Sequence, residues 1–179
     1  MTNFDFLKKD PQFKSFADVA VSAEKILSID VGASVLNCRR AMEFAVKWMY
    51  SVDSSLVRPY QDTLVSLIST EEFKDLVDSD LWKRMDFIRK LGNNAAHNGK
   101  KITLDEARLC LENLYIFLDF VAYCYGEQYE ETKFNLELLD RAESFERRQA
   151  SQSSEVDLKA LIDENKALRA QLTARREEQ

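Results

Sequence analysis

The residues best suited to chemistry cluster in IRKLGNNAAHNGKK at 88–101, which contains the only histidine of the 179-residue chain. Arg89, Asn93 and His97 recur at i, i+4 and i+8, so a helix through them carries all three on one face. An imidazole titrating near neutrality serves as general acid or base. A neighbouring guanidinium stabilises the charge that develops on a phosphoryl group when a 2′-hydroxyl attacks it. Arg39, Arg40 and Glu43 form a second polar set able to supply the opposing wall. The competing reading makes Glu43, Asn93 and His97 a buried hydrogen-bonded network that locks helices together. Gly92 and Asn93 are poor helix formers, so local propensity yields here to another requirement.

The same stretch is basic. Residues 83–101 hold six cations, Lys83, Arg84, Arg89, Lys90, Lys100 and Lys101, against one anion, Asp86. With Arg39 and Arg40 this island is a candidate surface for a phosphate backbone, DNA or RNA. The plainer alternative is a solvated helix face whose charges offset neighbouring acids. Walker A, GxSxG and HExxH patterns are absent, as is a paired-carboxylate metal site, so no metal or other cofactor is expected. Cys38 lies beside arginines but reads as a small buried hydrophobe. Trp48 and Trp82 read as core.

The elements that must position these residues are helical. Four glycines and two prolines in 179 positions argue against a turn-rich β fold. With 45% apolar residues the chain has enough material for a core. A net charge of −6 excludes a uniformly basic polyanion binder. Cys38, Cys110 and Cys124 are odd in number and unpaired in spacing, which argues against a disulfide framework. The N-terminus lacks signal-peptide features, and the most apolar run, 114–125, is too short to span a bilayer and carries Asp119. The expectation is a cytoplasmic protein without membrane contact.

Residues 1–12 read as a loose lead-in to a bundle over 13–130. Periodicity predicts helices from about Phe13 to Leu27 and from just after Gly32 to about Tyr50, with Val35, Leu36, Met42, Ala45, Val46 and Met49 inward. A short helix carries Leu64, Leu67 and Ile68. Ser69 three residues before Glu72 has capping-box spacing, as does Thr103 before Glu106, and Asp80 opens the helix containing the basic island. Residues 107–125 are apolar on almost every side, as suits the middle of a bundle. Gly126 provides its stop. A more polar helix extends from about Gln128 across 131–150, followed by a Ser-rich break at 151–155. Over 156–179, Leu158, Leu161, Asn165, Leu168 and Leu172 follow 3, 4, 3, 4 spacing. That is the a/d pattern of a parallel two-stranded coiled coil, with Asn165 setting register, and it predicts a homodimer. The chain ends in charged helical sequence without a cap and reads as a piece of something longer.

CRRAMEFAVKWMY at 38–50, LxxLI at 64–68 and IRKLGNNAAH at 88–97 together resemble the helical domain at the N-terminus of type I restriction enzyme R (HsdR) subunits. The resemblance covers about residues 4–130. It implies a cytoplasmic restriction-modification and phage-defence context, with a nuclease and a DNA translocase beyond Gln179 and the other restriction-modification subunits as partners. The module is also similar, more distantly, to HEPN bundles, many of which are metal-independent RNases with Arg and His separated by four to six residues. Through that likeness His97 matches the histidine and Asn93 the polar residue between. Seven residues lie between Arg89 and His97, and Lys90, with six residues between, lacks the guanidinium fork. The expected fold is therefore an all-α, HEPN-like helical bundle followed by a short coiled coil. The expected role is a non-catalytic interaction or dimerisation module. A HEPN-type RNase using His97, with Arg89 or Arg40 on the phosphate, and a stand-alone coiled-coil adaptor are the alternatives.

Overall fold

The structure, a computed structural model, describes residues 1–97 and 101–141 together with 159, 160 and 163. Six α-helices and two leading 3₁₀ turns follow in chain order, with no strand among the described residues. The helices are α1 (Lys14–Ile26), α2 (Val31–Val52), α3 (Leu64–Ile68), α4 (Glu71–Leu76), α5 (Ser79–Ala96) and α6 (Leu104–Tyr125). The fold is all-α. Residues 1–139 form one compact unit, and 140–179 form a second.

Side-chain caps start α2 to α6. Asp30 accepts from the Ala33 N–H at 2.9 Å to open α2. Thr103 and Glu106 complete a reciprocal capping box at α6, as their spacing predicts. Two predicted starts are corrected. Thr70, not Ser69, caps α4 by accepting from Phe73 N–H at 3.2 Å, and Ser69 closes α3 instead. Asp78, not Asp80, caps α5, accepting from Leu81 N–H at 2.7 Å. In both cases the capping residue has extended backbone, which aims its oxygen at the N3 amide. Gly126 does end α6, but with φ −74° rather than a left-handed turn. Space is what requires glycine there, since a Cβ would lie 2.4 Å from the Ala122 carbonyl oxygen.

The α2 helix is the axis of the unit, packing on α1, α5 and α6, and α6 also packs on α5. Of its predicted stripe, Val35, Met42, Ala45, Val46 and Met49 are buried, as is Cys38, while Leu36 is half-buried. Trp48 meets Phe13, Phe16 and Tyr125 edge-on, and the Trp82 indole N–H donates to Ile68 O at 2.7 Å. Both tryptophans are packing residues.

The N-terminal segment is not a loose lead-in. Phe4 and Leu7 are fully buried, with 3₁₀ turns over Asp5–Lys9 and Pro11–Phe13. The Asn3 N–H donates to both Glu24 carboxylate oxygens, at 3.1 and 3.0 Å, and its amide donates to Asn135 O at 3.1 Å. These aromatic and amide contacts lie more than twenty residues away, so no local pattern announces them. Residues 126–135 are irregular, where a helix was expected from Gln128. They fold back on the bundle, with Tyr115 bonded to Thr132 at 2.5 Å and packed on Phe134. Helix resumes only at 136, and the unit continues to Leu139 rather than ending at 130. In the second unit, residues 159, 160 and 163 are helical. The Ser-rich break at 151–155 and the heptad positions Leu158, Leu161, Asn165, Leu168 and Leu172 lie outside the described residues.

Candidate functional site

One close helix crossing lies within the polar run of α5. A Cβ on Gly92 would come within 2.6 Å of both Cβ and Cδ of Arg39. The α2 helix therefore passes directly over Gly92, with the Arg39 stem lying on it. This accounts for a helix-weakening glycine in the middle of the polar run: a larger residue would collide with atoms anchored to the α2 backbone. Arg39 Nη1 lies 3.6 Å from the Glu43 carboxylate, and its Nε is buried with no partner among the described residues.

Glu43 is held within its own helix, by Arg39 on one side and by Lys47 at 2.9 Å on the other. His97 occupies the C-cap of α5, its backbone N–H on Asn93 O at 3.2 Å and its side chain exposed. A buried network joining Glu43, Asn93 and His97 is not what forms. Asn93 is half-buried, and His97 stands exposed at the C-terminal end of the helix.

The basic island is partly paired from within. Asp86, only 13% exposed, accepts Arg89 Nε and Nη2 at 2.9 and 2.7 Å through one oxygen and Lys90 at 2.7 Å through the other. Burial raises the Asp86 carboxyl, but the hydrogen bonds and charges of Lys90 and Arg89 outweigh it and hold the group below the usual 3.8. Lys83 lies 3.7 Å from Asp80. Arg84 is drawn to α6, where Nη1 donates to the buried Asn113 Oδ1 at 2.8 Å. Lys101 is exposed, and Arg40 projects outward with its guanidinium 5.8 Å from the Phe44 ring centre. Lys100 lies outside the described residues. Lys83, Arg84, Arg89 and Lys90 thus share α5 without converging on one point, Arg39 and Arg40 stand on α2, and Lys101 lies in the loop before α6.

At the other end of α5 lies a site that the sequence alone did not single out. Asp78, Asp80, Leu81 and Arg84 face Ile116, Asp119, Phe120 and Tyr123 of α6 and Tyr129 of the following loop across an open cavity of about 330 Å³. The Tyr129 hydroxyl donates to Asp119, 3.2 Å from each oxygen, and its ring meets Tyr123 edge-on at 5.3 Å. Burial raises the Asp119 carboxyl above 3.8, Tyr129 offsets part of this, and the Glu131 charge adds to it. Burial together with the Asp119 charge pushes the Tyr129 hydroxyl up to about 12. The one available signal was Asp119 itself, an acid inside an otherwise apolar dozen residues.

Among the described residues no cluster of His, Cys, Asp and Glu is placed to hold a metal ion, and no helix is long and apolar enough to cross a membrane. Residues 21–148 match the family DUF4145, a domain of unknown function. The chain belongs to the DUF4145 family. No curated protein and no solved structure matches it. The DUF4145 match takes in α2 to α6 whole, and with them the Gly92–Arg39 crossing, the Asp86 clamp and the α5–α6 cavity.

Proposed function

We propose that this DUF4145 chain is a non-catalytic interaction module, of the kind found at the N-terminus of type I restriction R subunits, built on a HEPN-like bundle. One observation carries the non-catalytic part. Arg89, the arginine that an RNase reading needs beside His97 on α5, has two of its nitrogens bonded to Asp86, while His97 is exposed at the end of the helix. A guanidinium already committed to a carboxylate is a poor stabiliser of a developing phosphoryl charge. The likeness of residues 38–50, 64–68 and 88–97 to the R-subunit domain supports the context. The heptad pattern at 158–172 supports a parallel homodimer.

Labelled single-stranded RNA incubated with the chain in EDTA, beside His97→Ala, tests the catalytic question. No cleavage by either protein is the expected result; cleavage that disappears in His97→Ala overturns the reading in favour of a HEPN-type RNase. The restriction context requires the reading frame to continue past Gln179 into nuclease and helicase sequence, which the coding DNA shows directly. Light scattering on the full chain and on Leu161→Lys/Leu168→Lys tests the dimer. A mass that halves in the variant supports it, and a monomeric parent removes it.

A further inference from the structure

We infer that the α5–α6 cavity binds the guanidinium of an arginine carried on a basic peptide segment of a partner protein. The inference rests on the interaction-module reading, since its ligand is part of another protein, and it names the chemistry of that partner.

Charge and shape point to the same ligand. Three carboxylates, Asp78, Asp80 and Asp119, line the cavity against a single cation, Arg84, whose Nη1 is occupied by Asn113. Asp78 uses one oxygen to cap α5, and Asp80 has only a long, exposed pairing with Lys83. Asp119 is half-buried, and its one hydrogen-bonding neighbour there is the neutral Tyr129 hydroxyl. A cation beside Asp119 would lower its carboxyl; instead burial and Glu131 leave it raised, as for a carboxylate without a counter-ion. This contrasts with Asp86 on the same helix, where two cations are already in place.

The remaining walls are Leu81, Ile116 and the aromatic Phe120, Tyr123 and Tyr129, and Tyr123 is 69% exposed although it borders the cavity. Aromatic faces attract cations, and a planar guanidinium both stacks on a ring and forks onto a carboxylate, which an ammonium does not. At about 330 Å³ the cavity stands at the small end of the ~300–1,000 Å³ range for ligand sites, enough for one side chain but not for a bulky cofactor. It opens to solvent past Tyr123 and Asp80, so the rest of the ligand stays outside, as the backbone of a peptide would.

The test is calorimetric titration of the full chain with a capped Gly-Arg-Gly-Arg-Gly peptide and with its citrulline counterpart, which is neutral but nearly identical in shape. Binding of the arginine peptide only is expected. Asp119→Asn and Tyr123→Ala should each weaken it about tenfold or more. Glu71→Gln, which removes an equal charge from an exposed position on α4, should leave it unchanged. Equal binding of the citrulline peptide, equal weakening by Glu71→Gln, or no binding of the arginine peptide to a chain folded by circular dichroism overturns the inference. The non-catalytic reading falls to His97-dependent RNA cleavage, which this titration does not read, so the two failures are distinct.

Discussion

The two ends of α5 carry charge to opposite effect. Toward its C-terminus, Arg89 and Lys90 are both paired with Asp86, and the tight crossing at Gly92 presses Arg39 of α2 onto the same turns. Toward its N-terminus, fewer charges stand around an open cavity, and a half-buried carboxylate has only a tyrosine hydroxyl for company. Charge density along a chain is thus a poor guide to a site. What matters is which charges find partners inside the fold, because a paired ion has little left to offer a ligand.

The strongest way to break the paired end is Gly92→Ala. Alanine is the better helix former by ~1 kcal/mol, but its Cβ meets Arg39 atoms tied to the α2 backbone. A net loss of about 1–3 kcal/mol is expected in urea unfolding. Unchanged stability would mean that α2 and α5 do not pack so closely.

Asp86→Asn sharpens the comparison by releasing Arg89 and Lys90. It should cost about 1 kcal/mol. It should also create nucleic-acid affinity where the parent has little, falling roughly tenfold between ~50 and 200 mM salt, as for about two phosphate contacts. A parent with the same affinity and salt slope would show that the clamp neutralises nothing.

Acid should separate the two ends. The Asp86 carboxyl is lowered in the fold, so the stability it contributes is present above its unfolded value near 3.8 and is lost as pH falls through its folded value. Asp119 is raised, so its contribution is full below about 3.8 and is lost as pH rises through its folded value. In urea midpoints measured from pH 3 to 7, Asp119→Asn should gain at most ~0.5 kcal/mol on the parent at neutral pH, and Asp86→Asn should lose. The same sign for both variants would contradict the contrast.

The smallest effect is expected for His97→Ala. An exposed residue at a helix end should change stability by less than about 0.5 kcal/mol. A larger loss would return His97 to a structural role.

Much of the fold was legible in the chain. The α2 stripe, the short α3 triplet and the Thr103–Glu106 box all rest on contacts within one or two turns, which spacing records directly. The starts of α4 and α5 were misplaced by one or two residues because several Ser, Thr and Asp side chains compete there for one capping position, and backbone angle decides among them. The candidate site was less legible. Arg89, Asn93 and His97 do share a helix face up to its end, but their partners could not be read from spacing. The cavity remained hidden because Asp78, Asp119 and Tyr129 come from three separate segments.

By itself, the sequence determined an all-helical chain, the order and approximate limits of its helices, and the residues that turn inward. These follow from hydrophobic period and from caps, which are local properties. Only the tertiary structure decided that the N-terminal residues belong to the core, that Gly92 exists for Arg39, that Arg89 and Lys90 of the basic island are paired, and that Asp119 of an acidic aromatic cavity meets a tyrosine hydroxyl rather than a cation. Each of these depends on which side chains meet across helices, and burial sets the strength of those meetings by removing the water that would otherwise screen them.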